Sequence, residues 1–342
     1  MITMTKTGYR WLAAIETLAT LVVSGGLPAS RAMAQTTAQT AAQTYPNKSI
    51  RIVLPWPAGG ITDVIMRAVN SHVNEVFGQQ MVIDNRPGAG GTLGAALAAK
   101  TPADGYTLLM TDIASFCISA TLYGNKLPYD AQKDFQPIMM VAGSPMVLVA
   151  NPAPQVRTLP QLIALAKTRP GQLSYASSGS GSITHLAAVR MQTLAGINLL
   201  HVPFKGSIPA ASSVMSGETF MSFSTIPASL PHAKTGRLVM IAQSFAKRAP
   251  QIPDVPTLAE TLGNFELGFL SGRLAPAGTP RAVVERLHAE VMRAMEQTKV
   301  RDTLATNAAI PSRMSSQEFT DYLARETRSW GDVVRSSGVK AD

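Results

Sequence analysis

The stretch Ser49-Ile50-Arg51-Ile52-Val53-Leu54-Pro55-Trp56-Pro57-Ala58-Gly59-Gly60 decides the fold. Its first half is a short, largely β-branched run stopped by proline, which reads as a buried strand. Its second half is a turn of prolines and glycines. From about Thr62 the apolar residues Ile65, Val69, Val73 and Val76 recur at the spacing of one helix face. Strand, glycine turn and helix then repeat: residues 81–84 read as a strand, 86–91 as a glycine-rich loop, 92–100 as a helix and 106–110 as a strand. Such alternation implies a parallel sheet covered by helices.

The apolar run 135–149 is extended and ends at Asn151-Pro152-Ala153-Pro154, where the chain is expected to cross into a second unit. Beyond it, helices are predicted at 159–168, 183–194, 209–216 and 228–234, and strands at 173–176, 198–202, 220–223 and 238–243. Between residues 244 and 278, Pro250, Pro253, Pro256 and Pro276 punctuate a return segment. Two terminal helices follow. Thr279-Pro280 places a capping residue before a first-turn proline, with Val284, Leu287, Val291 and Met295 on one side. Ser315 and Glu318 make a capping box ahead of Phe319, Leu323, Trp330 and Val334. The division read from this is residues 45–148 with 270–342 as one α/β lobe, and 149–269, with the crossover segments, as the other.

At 342 residues the chain is long enough for two cores, and a composition 46% hydrophobic and 15% charged excludes a disordered chain or a coiled coil. Residues 1–34 read as a cleavable signal peptide: Lys6 and Arg10, an apolar run from Leu12 to Val23, a Gly25-Gly26-Pro28 breaker, and Ala32-Met33-Ala34 before the cut. Residues 35–44 are a polar, low-complexity flexible lead. Export to the periplasm is therefore expected. Cleavage lowers the formal net charge from +9 to +7, an excess that favours anions. The basic residues are scattered and not interleaved with aromatics, so no nucleic-acid partner is expected. The single cysteine, Cys117 in Phe116-Cys117-Ile118, has no disulfide partner and reads as a buried thiol.

The turn Trp56-Pro57-Ala58-Gly59-Gly60, with Thr62 and Asp63 in the helix behind it, offers unpaired amides to an anion. The second unit has a counterpart in Ser177-Ser178-Gly179-Ser180-Gly181-Ser182, with Thr184 and His185 in the following helix. Lys205 after Val202-Pro203-Phe204 adds a charge beside an anion. In open parallel sheets ligands sit beyond the carboxyl ends of the strands, so the two loops facing each other would clamp a carboxylated molecule.

Other chemistries find little support. Gly88-Ala89-Gly90-Gly91-Thr92-Leu93-Gly94, with Asp112 as a ribose-binding acid, comes near a dinucleotide fingerprint, but Asn85-Arg86-Pro87 separates it from the strand and its spacing departs from GxGxxG. The sequence has no GxSxG, HExxH or GxxxxGK[ST], and its five histidines lack ligand spacing. A hydrolase built on Ser182 and His185 would place nucleophile and base three residues apart at a helix start. No metal and no cofactor are expected, and an exported hydrolase or nucleotide-dependent oxidoreductase is the alternative class.

The segments Tyr45-Pro46-Asn47-Lys48-Ser49-Ile50-Arg51, Pro55-Trp56-Pro57-Ala58-Gly59-Gly60 and Asp84-Asn85-Arg86-Pro87-Gly88-Ala89-Gly90-Gly91 resemble the opening signatures of the tripartite tricarboxylate transporter substrate-binding proteins, the Bug receptors. Asp104-Gly105-Tyr106-Thr107-Leu108-Leu109, Leu127-Pro128-Tyr129-Asp130, His201-Val202-Pro203-Phe204-Lys205-Gly206, Asp254-Val255-Pro256-Thr257 and Leu274-Ala275-Pro276-Ala277-Gly278 continue the likeness in order. The resemblance implies a type II periplasmic binding-protein fold, two α/β lobes with the ligand cleft between them. It also implies a receptor that hands a small organic carboxylate to a tripartite tricarboxylate-type membrane transporter, or reports it to a signalling system; the chain is expected to be a monomer. By the same resemblance, residues 56–63 bind the carboxylate through backbone groups, and the second lobe contributes residues 177–185. Where many members have Phe-Asp-Asn, this chain has Phe223-Ser224-Thr225, which puts Ser224 in place of an acid that could pair with an amino group. Leu270 and Arg273 depart from the family pattern ahead of Leu274-Ala275-Pro276 and are expected to alter the shape of the pocket.

Overall fold

A computed structural model describes residues 45–337 and Val339. The expected signal peptide and flexible lead lie outside the described residues. From Pro46 onward the chain forms one compact unit. Its strands, in order, are β1 (Ile50–Leu54), β2 (Met81–Asn85), β3 (Thr107–Asp112), β4 (Phe135–Ala150), β5 (Ser174–Ser177), β6 (Leu200–Pro203), β7 (Met221–Thr225), β8 (Val239–Gln243), β9 (Gly268–Pro276) and β10 (Ile310–Pro311). The helices are α1 (Ile61–Phe77), α2 (Thr92–Ala99), α3 (Ile113–Leu122), α4 (Leu159–Thr168), α5 (Ile183–Ala195), α6 (Ser207–Ser216), α7 (Ile226–Lys234), α8 (Leu258–Leu262), α9 (Arg281–Glu296), α10 (Thr298–Thr306) and α11 (Ser316–Ser337).

The strand order is β2-β1-β3-β9-β4-β7-β5-β6, with β8 and β10 also on β4. β1 pairs parallel with β2 and β3, and β5 pairs parallel with β6 and β7. β4 and β9 run antiparallel to their neighbours, so the sheet is mixed. β4 carries the architecture. Its residues from Phe135 to Pro145 pair with β9, and those from Met146 to Ala150 pair with β7. One strand thereby belongs to two α/β lobes, each a parallel set with helices on its faces.

The amphipathic pattern of α1 buries Ile65, Met66, Val69 and Val73 fully, each contributing on the order of 2 kcal/mol by leaving water. Val76, expected on that face, is 48% exposed, and Phe77 takes the buried position at the end of the helix. Thr279 does not cap α9. Its hydroxyl donates to the Pro276 carbonyl at 2.7 Å, and Pro280 itself precedes the helix. The Ser315–Glu318 box forms as read, with the Glu318 amide donating to Ser315 Oγ and the Ser315 amide to Glu318 Oε2. Within the proline-marked return segment lie two unpredicted elements, α8 and β9. β9 is central to the sheet, and Gly272 lets it pack against Ile113 and Phe319: a β-carbon there would lie 2.5 Å from Ile113. Cys117 is buried, and burial pushes its thiol up to about 12.

Candidate functional site

Three chain turns meet at the carboxyl ends of the parallel strands. The first follows β1. Gly59 takes a positive φ of 82°, and its amide donates to Asp63 Oδ2 at 3.0 Å. Asp63 is buried; it also accepts from Arg67 at 2.8 and 3.0 Å and from Asn85 Nδ2 at 3.3 Å. Burial raises its pKa, but the Arg67 side chain, the Gly59 amide and Asn85 outweigh it, and the carboxyl lies below its usual range. Asp63 thus holds the turn from behind. Gly60 precedes α1 with no side-chain cap, which leaves first-turn N–H groups facing outward.

The second turn follows β5, and its hydroxyls bond to one another. Thr184 Oγ1 accepts from the Ser178 amide at 2.8 Å and lies 2.9 and 3.0 Å from the hydroxyls of Ser178 and Ser182. Ser182 Oγ caps α5 by accepting from the His185 amide at 3.3 Å. The His185 ring takes a hydrogen bond at Nδ1 from the Gly181 amide at 3.2 Å and stacks on His201, with centroids 3.9 Å apart. Ser177 Oγ lies 2.7 Å from His201 Nε2 and accepts from the Gly179 amide. These bonds fix the loop. The Ser182 hydroxyl meets the His185 backbone amide and Thr184, and His185 Nδ1 accepts from the Gly181 amide, so these bonds lend no support to a Ser182–His185 nucleophile pair.

The third turn, missed in the sequence, is Gly206-Ser207-Ile208. Gly206 has a φ of 121°, and α6 begins at Ser207, two residues earlier than read, again without a side-chain cap. Open helix starts from opposite lobes therefore face the same space.

That space is narrow: its free interior is about 40 Å³, and it reaches about 450 Å³ only when the open solvent at its mouth is counted. One side is Trp56, Pro57, Gly60, Ile61 and Thr62, with Asp112, Ser115 and Phe269 behind; the other is Ser178, Ile183, Ser207 and Ile208. The walls are mainly apolar. Two polar groups stand out. Trp56 Nε1 is buried with no hydrogen-bond acceptor. Asp112 caps α3 by accepting from the Ser115 amide at 2.8 Å, and its second oxygen accepts from the Leu270 amide at 2.8 Å. Burial pushes this carboxyl up to about 6 against those bonds. A neighbouring opening with a free interior of about 260 Å³ shares Trp56, Pro57 and Ser178 and adds Gly179 and Lys205.

Asp112 is thus a helix cap in a buried wall, not a ribose-binding acid; within the Gly88–Gly94 segment Gly94 serves packing, since a β-carbon there would lie 2.7 Å from Pro55, while Gly88, Ala89, Gly90 and Gly91 line the neighbouring opening. Of the residues named from sequence, Trp56, Pro57, Gly60, Thr62, Asp112 and Ser178 line the cavity, and Gly179 and Lys205 the opening beside it. Ala58, Gly59 and Asp63 shape the first turn, while Ser177, Ser182, Thr184 and His185 support the second. Ser224 stands apart, buried on β7 opposite Val147, its hydroxyl without a partner. Arg273 lies away from the cavity, wholly buried against α1, where it donates to Asn70 Oδ1 at 3.0 Å.

The lobes touch across the cleft. The Ile183 amide at the start of α5 donates to Ser115 Oγ on α3 at 3.0 Å. Glycines make the approach: β-carbons would stand 2.6 Å from the Ser180 carbonyl at Gly90 and 2.7 Å from Pro57 at Gly206, and one at Gly181 would press on Leu122.

Residues 65–339 match the model of the tripartite tricarboxylate transporter family receptor. The chain belongs to that family. The receptor is 33% identical to protein BugT of Bordetella pertussis over 305 residues, 89% of this chain and 93% of BugT. Among solved structures, a Rhodopseudomonas palustris protein with adipate is 30% identical with a TM-score of 0.82, covering 86% of this chain and 99% of its own. MatC from the same organism, with bound malate, is 29% identical with a TM-score of 0.79, covering 85% and 100%. The fold is accordingly that of a two-lobed periplasmic binding protein, and its relatives are solute-binding proteins. Among the described residues no helix is long and apolar enough to cross a membrane.

Proposed function

We propose that this receptor captures a small organic carboxylate in the cavity between its lobes, and that it acts without catalysis, as a monomer, in the periplasm after removal of residues 1–34. The observation that carries the reading is the pair of uncapped helix starts, α1 and α6, opening from opposite lobes onto one apolar-walled cavity. Helix N-termini favour anions through their free N–H groups and the helix dipole. Within a dry cavity each hydrogen bond to a charged group contributes about 1.5–3 kcal/mol, which offsets desolvation of the carboxylate without a buried cation. Trp56 Nε1 supplies one more donor.

The lobes are residues 46–145 with 268–337, and 146–267, hinged where β4 exchanges β9 for β7. Ligand binding favours the closed form because both helix starts reach the anion only there. The closed receptor then presents its cargo to the membrane subunits of a tripartite tricarboxylate-type transporter. The adipate and malate named for its relatives support a di-acid of four to six carbons as cargo. The Ser177–His201 contact supports no hydrolysis, since Ser177 is fully buried.

Calorimetry of the purified chain with succinate and with its neutral diamide tests the reading. The acid is expected to bind and the diamide not. Equal binding of the two, or no response to succinate, malate, aspartate and adipate alike, contradicts it.

A further inference from the structure

The polar groups around the cavity are of opposite kinds. The starts of α1 and α6 and the Trp56 indole are donors, whereas Asp112 is an acceptor. Asp112 is 2% exposed, and each of its oxygens accepts one amide, from Ser115 and from Leu270. The Ser115 hydroxyl also bonds to this carboxyl, and an ionised carboxylate has about four acceptor positions, so one remains. No ion pair among the described residues reaches it. A ligand carboxylate entering the same desolvated space meets a like charge, which burial makes costly. A hydroxyl or ammonium on the ligand's own carbon chain removes that conflict: the carboxylate takes the donors, and the second group donates to Asp112.

Resting on the carboxylate reading above, we propose that Asp112 is the specificity-determining residue of the cleft and selects small carboxylates that also carry a hydrogen-bond donor, a hydroxyl or an ammonium.

Succinate, malate and aspartate share one four-carbon chain and differ by hydrogen, hydroxyl or ammonium at one carbon. Titration calorimetry on the unaltered receptor is expected to give malate, aspartate or both at least tenfold tighter binding than succinate, about 1.4 kcal/mol. Which of the two gains separates hydroxyl from ammonium. Asp112→Asn keeps an acceptor for the Ser115 amide and is expected to bring the three ligands within about threefold of one another; Asp112→Ser serves the same purpose if the asparagine chain does not fold. Succinate matching both donors in the unaltered receptor, or a donor preference surviving in a folded Asp112 variant, overturns the proposal while leaving the carboxylate reading in place. Failure of all three ligands and of adipate refutes that reading itself.

Discussion

Gly90 and Gly78 share a φ of +61° but differ in what surrounds them. An alanine β-carbon at Gly78, just past α1, meets nothing within 4 Å, whereas at Gly90 it would lie 2.6 Å from the Ser180 carbonyl oxygen of the opposite lobe. Both substitutions carry the same backbone cost, about 1 kcal/mol for a left-handed alanine. Gly90→Ala carries in addition a clash that exists only while the lobes are together. An ordinary C···O contact is about 3.3 Å, so the loops must part by roughly 0.7 Å. The obstacle is backbone rather than a flexible side-chain end, so the closed form becomes scarcer, and apparent affinity falls by the same factor as its population. Gly90→Ala is expected to bind the tightest carboxylate of the succinate, malate, aspartate and adipate set at least tenfold more weakly than Gly78→Ala, about 1.4 kcal/mol. Melting temperatures of the two ligand-free variants should agree. Calorimetry gives the affinities, and small-angle scattering shows whether ligand still compacts each chain. Equal affinity and equal compaction of the two variants would refute the reasoning that Gly90 lies on a closing face.

The raised carboxyl of Asp112 sets a pH dependence. Its folded value of about 6 stands above the ordinary 3.8, so the folded state holds this proton more tightly, and the resulting stability is complete below pH 3.8 and lost as pH rises through 6. Urea denaturation of the unaltered chain relative to Asp112→Asn should lose about 3 kcal/mol between those limits; a difference that stays flat across them contradicts the assignment. Trp56→Phe deletes the one buried indole donor of the cavity while keeping an aromatic wall, and should weaken carboxylate binding about tenfold at unchanged melting temperature. Unchanged affinity in that variant would show that Nε1 does not reach the ligand.

The alternating strands and helices were legible because each parallel strand is a short apolar run and most helices have a clear buried face. The elements that escaped have identifiable reasons. α3 is buried on nearly every side from Ile113 to Ser119, so it shows no amphipathic period. β9 contains Gly268 and Gly272, residues that disfavour a strand in isolation, and a buried Arg273, yet Gly272 fits only against Ile113, and Arg273 reaches Asn70 on α1. At the site, Trp56, Gly60 and Ser178 were readable as turn chemistry. Ser207 and Ile208 were not, because Pro209 reads as the first helical residue and nothing local marks the two residues before it as part of α6. The serines and Thr184 of the second loop were readable as polar but not as mutually satisfied, a property of three-dimensional packing alone.

A crystal structure of the receptor with malate tests the central claim most directly. The ligand's carboxylate is expected about 2.9 Å from main-chain amides at both the start of α1, Ile61 and Thr62, and the start of α6, Ser207 and Ile208. A carboxylate held by one lobe only, or bound outside the cavity that Trp56 and Ile208 enclose, would contradict the account.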